Sequence, residues 1–315
     1  MHPAPSIVLF TTASGAGYGL LFLLGLGSPL GLVPSARWLG FAGLGLALGL
    51  ITLGLLASTF HLGHPERAWR AITQWRSSWL SREGVAALLT YLPALALAYG
   101  WLVLERTDGL LTLAGLLAAA GAVVTVYCTG MIYASLPPIR EWRHPLVAPV
   151  YLGFALYSGA LLAHALLAAF GVPRIWAGVL AILALALAFW LKTIYWQAID
   201  RAEPQHTAGS ATGLGALGTV RMIEPPHTET NYLLREMGFA IARKHARKLR
   251  WLSYGLGGAL PLALTLAALF VTGPVAATLV MLAALLGLAG VAIERWLFFA
   301  EATHTVMLYY GRPAA

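Results

Sequence analysis

Cysteine is almost missing from this 315-residue chain, where Cys128 stands alone. One thiol cannot build a disulfide scaffold, a cysteine-rich zinc site or a cysteine-ligated iron–sulfur cluster, each of which needs several sulfur atoms. Charge is scarce as well: 10% of the residues are Asp, Glu, Lys or Arg, where soluble globular chains carry about 25%. Acids are the rarer sign, 12 against 20 bases, which leaves a net charge of +8. What fills the space is apolar. Hydrophobic residues make up 59% of the chain and the mean hydropathy is +0.76, far too much apolar surface to leave in water, so disorder is excluded. The basic excess does not indicate a nucleic-acid partner, because the Lys and Arg residues sit beside apolar stretches, the pattern of membrane sorting.

Stretches of about 20 apolar residues, long enough to cross a hydrocarbon core, occur eight times. They run from Ser6 to Gly27, Trp38 to Phe60, Val85 to Leu104, Leu110 to Leu136, Leu146 to Phe170, Ile175 to Ala198, Leu249 to Thr272 and Val275 to Phe298. The expected fold is all-α, a polytopic bundle of eight transmembrane helices forming one domain over 1–315. The first stretch lacks a basic leader and a cleavage site and reads as a retained helix. An even number of spans puts both ends on one side. The turns after spans one, three and five carry Arg37, Arg106 and Arg174, while the other side carries nine bases outside the long loop, Arg67, Arg70, Arg76, Arg82, Arg140, Arg143, Lys192, Arg295 and Arg312. That bias predicts cytoplasmic termini. Glycines cluster in the second span at Gly40, Gly43, Gly45, Gly49 and Gly54. They allow close helix packing or, in a small-solute transporter, a broken helix at the binding site.

The polar connection over 199–248 is expected to be a cytoplasmic loop with an amphipathic helix. Pro225 and Pro226 stop regular structure, Thr230 can cap a helix starting near Asn231 and continuing into the seventh span, and Leu233, Leu234, Met237 and Ile241 fall on one face. Its basic end, Arg243, Lys244, Arg247, Lys248 and Arg250, fits anionic headgroups or a docking partner.

Ionisable residues at membrane depth are costly, so each is a candidate for function. The second span ends in TFHLGHPERAW, with His61 about one turn inside and His64 at the edge; the third begins in WLSREG, with Glu83 in its first turn. One short connection holds His61 and Glu83 in the same leaflet. Such a pair suits quinol–quinone exchange, in which two electrons move with two protons and the head group needs an acid/base near neutral pH. The spacing equally allows a plain structural role, with His61 bonding a backbone carbonyl and Glu83 complementing a helix dipole. At the end of the eighth span Glu294 and Glu301 share a face, with His304 one turn further; they are secondary proton-transfer candidates or snorkelling interfacial groups. The connection after His64 reads as a short interfacial helix opened by Pro65, with Trp69, Ile72, Trp75 and Trp79 in the headgroup belt and Arg67, Arg70, Arg76 and Arg82 toward the cytoplasm. A haem-b anchor would need two histidines at matching depth, and His61 and His304 leave one haem open on this reading.

Four stretches in order, FHLGHPERAWRAITQWRSSWLSREG, MIYASLPPIREWRHPLVAPVYLGFALYSGALL, TNYLLREMGFAIARKHARKLRWL and ERWLFFAEATHTVMLYYG, resemble the membrane-anchor subunit of the dimethyl sulfoxide reductase type, the DmsC-like family. The likeness runs from about Ile7 to Gly311 and is strongest to anchors of cytoplasmic sulfite dehydrogenase complexes. It implies eight membrane helices, no bound haem or iron–sulfur cluster in this chain, and an exchangeable quinone, menaquinone or ubiquinone, as substrate. It also implies two partners, a four-cluster iron–sulfur subunit and a molybdopterin catalytic subunit. Carried over by position, the family's quinol-site histidine and glycine match His61 and Gly63, and its acid matches Glu83. His64, Glu301 and His304 join the expected quinone site on depth and spacing alone. The expected docking face comprises Arg67, Arg70, Arg76, Arg82, Arg140 and Arg143, and catalytic activity is expected only within the complex.

Overall fold

The computed structural model describes every residue except 61, 63, 173, 174, 228, 230, 239, 240 and 315, and for 241–244 the backbone only. Among the described residues eight helices are long and apolar enough to span a membrane: α1 (Pro5–Gly27), α2 (Arg37–Thr59), α3 (Trp79–Leu102), α4 (Leu110–Ala134), α5 (Val147–Ala169), α6 (Ile175–Arg201), α7 (His245–Ala268) and α8 (Gly273–Ala300). No strand occurs among the described residues. The all-α polytopic bundle is therefore the architecture observed.

Helices α1 and α5 form its centre. Their apolar windows are 67% and 72% buried, against 33–39% for the other six, which turn much of their surface to lipid. Small residues explain why these two sit innermost, because they let backbones approach closely. At the α1–α5 crossing a Cβ on Gly19 would lie 1.8 Å from the carbonyl oxygen of Ala155. Gly19→Ala is therefore expected to destabilise the bundle by about 1–3 kcal/mol through overpacking, read as a lower thermal unfolding midpoint in detergent. Gly45→Ala, where a Cβ meets nothing within 4 Å, should leave the midpoint unchanged.

The glycine-rich second span is a continuous helix, so packing is the reading that holds there: Gly40 faces the Trp101 ring, Gly43 faces Leu24 and Leu166, and Gly54 faces the α1 backbone at Ser14. The irregular helix is α7. It is α-helical to Tyr254, makes a π turn over Gly255–Ala259, and resumes as an α-helix from Leu260 with Pro261 in its first turn. There Gly257 abuts Gly290 of α8, and the Tyr157 hydroxyl donates to the Gly257 carbonyl at 2.5 Å.

Both ends of the chain lie on one side, hereafter the termini side. The N-terminal ammonium donates to the Ala302 carbonyl at 2.8 Å, beyond the end of α8. The α4–α5 connection closes this side of the bundle: Trp142 donates to the Phe298 carbonyl (3.0 Å) and the Thr305 amide to the Pro138 carbonyl (3.0 Å). In the long polar connection the expected single helix is divided. One helix, Tyr232–Met237, ends at Gly238, a poor helix former, and another begins at Ile241. Its cap is Asn231, whose side chain accepts from the Leu234 amide at 2.9 Å; Thr230 lies outside the described residues.

Candidate functional site

Four acids among the described residues are buried: Glu83, Glu141, Glu294 and Glu301. Three have a cation beside them. Glu141 meets Arg140 at 3.2 Å, Glu294 meets Lys192 at 2.6 Å and Arg295 at 3.3 Å, and Glu301 meets Arg250 at 2.8 Å. Glu83 is the exception. It is 4% exposed, and its one partner among the described residues is the hydroxyl of Thr129 on α4, which donates to it.

The local sequence explains this position. Helix α3 opens at Trp79, with the Ser78 hydroxyl accepting from the Ser81 amide. The helix therefore starts before Glu83, which lies past the first turn and gives its carboxylate to Thr129, where the helix-dipole reading would place it in that turn. On the outer side of the same turn, Arg82, Val85 and Leu89 of α3 face Val124 and Cys128 of α4 across a groove of about 390 Å³ with Trp75 at its edge. Leu89 and Val124 belong to the exposed apolar surface that lipid covers. Glu83 itself does not line this groove: it is buried next to Arg82, and its partner Thr129 follows Cys128 of the groove wall in α4.

The remaining expected site residues are dispersed. His61 and Gly63 lie outside the described residues; α2 ends just before them, at Thr59 with Phe60 as C-cap. His64 is exposed, its Nδ1 3.0 Å from Glu66 Oε1. Glu301 accepts from Trp196 Nε1 at 3.1 Å in addition to its arginine. His304 does not continue the face of Glu301, because α8 stops at Ala300. Its Nδ1 instead accepts from the Val306 amide at 3.0 Å, capping the turn Thr305–Leu308. That bond leaves the ring proton on Nε2, and burial holds the imidazole below the usual histidine range. No hydrogen bond or ion pair among the described residues joins Glu83 to His64, Glu301 or His304.

Of the expected docking arginines, Arg67, Arg70, Arg76 and Arg143 are exposed. Arg82 folds back, donating to the carbonyls of Trp75 (3.0 Å) and Arg76 (2.7 Å) and covering the Trp79 ring. Arg140 is tied to the carbonyls of Ala202 (2.9 Å) and Glu203 (3.0 Å). Both hold loops to the bundle.

Sequence reasoning missed the charged cluster inside the bundle. Lys192, Glu294 and Arg295 are 0%, 0% and 2% exposed. Lys192 Nζ lies 4.3 Å from the Tyr195 ring centroid and the Arg295 guanidinium 3.8 Å from that of Tyr151. These rings add cation–π attraction in the protein interior. Lys192 and Arg295 therefore do not belong to the basic surface; without them the bias between the two sides is seven to three, still in the same sense. The available signal was spacing: Lys192, Trp196 and Asp200 recur every four residues on α6, and Glu294 and Glu301 every seven on α8.

Comparison with known proteins agrees with this architecture over its full length. The family described as DMSO reductase anchor subunit (DmsC) matches residues 1–311. The C-subunit of Allochromatium vinosum sulfite dehydrogenase is 34% identical over 340 aligned positions, covering 100% of each chain. With eight spanning helices and a match running from the first residue to the last turn, the chain belongs to the DmsC family, the multi-pass membrane anchors of oxidoreductase complexes.

Proposed function

We propose that this anchor exchanges electrons and protons between a membrane quinone and an iron–sulfur partner subunit, which connects it to a molybdopterin catalytic subunit. The name of its relative, a sulfite dehydrogenase subunit, favours electron flow toward quinone. Reduction then takes two electrons from the partner and two protons through the anchor, and yields the quinol.

The observation that carries this reading is Glu83. A buried ionisable group in a membrane span normally has a counter-charge; Glu294 in α8 has one, and so do the buried Glu141 and Glu301 beyond the spans. A carboxyl whose only described partner is a hydroxyl can bind and release a proton without breaking an ion pair. It stands beside a groove large enough for a quinone ring and open to the lipid in which quinones dissolve. In this reading His61, in the segment just past α2, hydrogen-bonds a quinone oxygen, and Glu83 passes the proton. The termini side faces the cytoplasm of an inner membrane, and its exposed arginines together with the 199–248 loop dock the iron–sulfur subunit.

Purification of the tagged chain in mild detergent tests this assignment. Expected are two co-purifying soluble subunits containing iron–sulfur clusters and molybdopterin, with quinone-linked turnover that a head-group analogue inhibits. A chain that purifies alone, or that shows a Soret band, contradicts it.

A further inference from the structure

On the termini side, beyond the ends of the spans, three chain segments form a groove of about 1100 Å³: the α4–α5 connection at Pro137 and Pro138, the loop from Gln205 to Met222, and the C-terminal segment from Thr305 to Pro313. Local sequence builds its walls. Thr207 and Ser210 cap each other, the Ser210 amide donating to Thr207 Oγ1 (3.1 Å) and the Thr207 amide to Ser210 Oγ (2.9 Å). The short helix they open, Ala208–Thr212, stops at Gly213, whose φ of +72° is one that other residues rarely adopt. The walls are also tied to one another. The Ala208 amide donates to the Pro313 carbonyl (3.1 Å), the Thr305 amide to the Pro138 carbonyl, and Asn231 Nδ2 to the Tyr310 hydroxyl (2.9 Å). An occupant therefore meets a preformed surface, with little ordering of the walls left to oppose binding.

The lining combines apolar and basic groups. Leu214, Met222 and Tyr309 are exposed in it, and clustered apolar surface on the water side of a protein marks a site of interaction. Arg221 and Arg312 line the same groove, and neither guanidinium has a hydrogen-bond or ion-pair partner among the described residues. No acid lines it; the nearest in sequence, Glu203 and Glu224, lie outside. Unpaired arginines beside apolar walls select a ligand that brings carboxylates and apolar side chains together. The volume exceeds the roughly 300–1,000 Å³ of small-molecule pockets, which favours a peptide segment. A bilayer is the poorer match, because surfaces that bind membranes insert a projecting apolar face and this one is concave.

We propose that the groove receives an acidic peptide segment of the iron–sulfur subunit, its carboxylates on Arg221 and Arg312 and its apolar side chains against Leu214, Met222 and Tyr309. This rests on the reading above, in which that subunit docks on the termini side, and adds the place and chemistry of one contact. None of the six arginines expected from the sequence to dock a partner lines the groove, so the contact is additional to theirs.

Benzoylphenylalanine placed at Leu214, and separately at Met222, in the intact complex in its native membrane tests the proposal. On irradiation each should cross-link to the iron–sulfur subunit, within a peptide that contains Asp or Glu. The same group at Leu110, exposed at the other end of the bundle, should not. Arg221→Glu combined with Arg312→Glu is expected to weaken retention of the iron–sulfur subunit on salt-washed membranes about tenfold, the scale of losing two partly exposed ion pairs. The thermal midpoint of the anchor itself should stay unchanged. Cross-links to lipid, to a second copy of the anchor or to the molybdopterin subunit alone, no cross-link at all, or unchanged retention in the double variant each overturn the proposal; if the two soluble subunits still co-purify, the quinone reading stands. Cross-links to the iron–sulfur subunit in a complex where Glu83→Gln leaves quinone turnover intact keep the groove and remove the quinone site. If the chain purifies alone, both fail.

Discussion

Glu83→Gln is expected to reduce quinone-linked turnover of the complex by about a hundredfold or more, the usual range for losing a positioned acid or base. Turnover with a soluble dye, which takes electrons from the partner subunits directly, should persist. Glutamine keeps the size of the side chain and can still accept from the Thr129 hydroxyl that now binds Glu83. The variant thus removes the proton-carrying function and leaves the packing of α3 against α4 largely as it was. A structural role for Glu83 makes the opposite forecast: little change in quinone turnover, because the isostere preserves the contact. His61→Ala should show the same split between quinone-linked and dye-linked activity.

Glu294→Leu should cause the largest loss of stability in the chain, about 3–5 kcal/mol, the cost of removing one partner from a buried ion pair. The cluster contains two cations and one anion, all but sealed from solvent. Without Glu294, Lys192 and Arg295 face each other in the interior with no compensating charge. Adding Lys192→Met restores the original net charge of the cluster, and much of the stability should return. Detergent-solubilised protein, heated in steps and assayed for its monodisperse fraction, gives the comparison: the single variant fails at the lowest temperature and the double lies between it and the parent. A single variant as stable as the parent contradicts the description of this cluster as a tightly coupled unit.

Most of the architecture was legible in the sequence, because crossing a hydrocarbon core imposes a length and a composition that few other structures share. The boundaries shifted where caps decide them, as at Trp79, where the helix opens six residues before the apolar stretch begins at Val85. The partial helix at Tyr232–Met237 was expected to run on because its apolar spacing continues past Gly238. Charge was harder to place. Counting Lys192 and Arg295 as surface bases follows from hydropathy alone, which gives each residue a value without regard to what it faces. Their burial depends on Glu294, a residue about one hundred positions from Lys192, and on five aromatic rings, Tyr151, Phe154, Tyr195, Trp196 and Phe298, that surround them. Glu83 could be picked out by its depth, but its distinguishing feature, the want of a cationic partner among the described residues, emerges only when all four buried acids are compared. The small cavity between α1, α4, α5 and α8 has no sequence signature, since four helices contribute its lining.

A photoreactive azidoquinone offers the most direct test of the quinone site. Irradiated with the purified complex and then digested, it should label peptides covering Trp75 to Leu89 and Gly121 to Cys128, the two walls of the groove beside Glu83, and excess unlabelled quinone should suppress that labelling. Labelling that maps instead to the groove near His164 and Met281 at the opposite end of the bundle, or that excess quinone does not displace, contradicts a quinone site at Glu83.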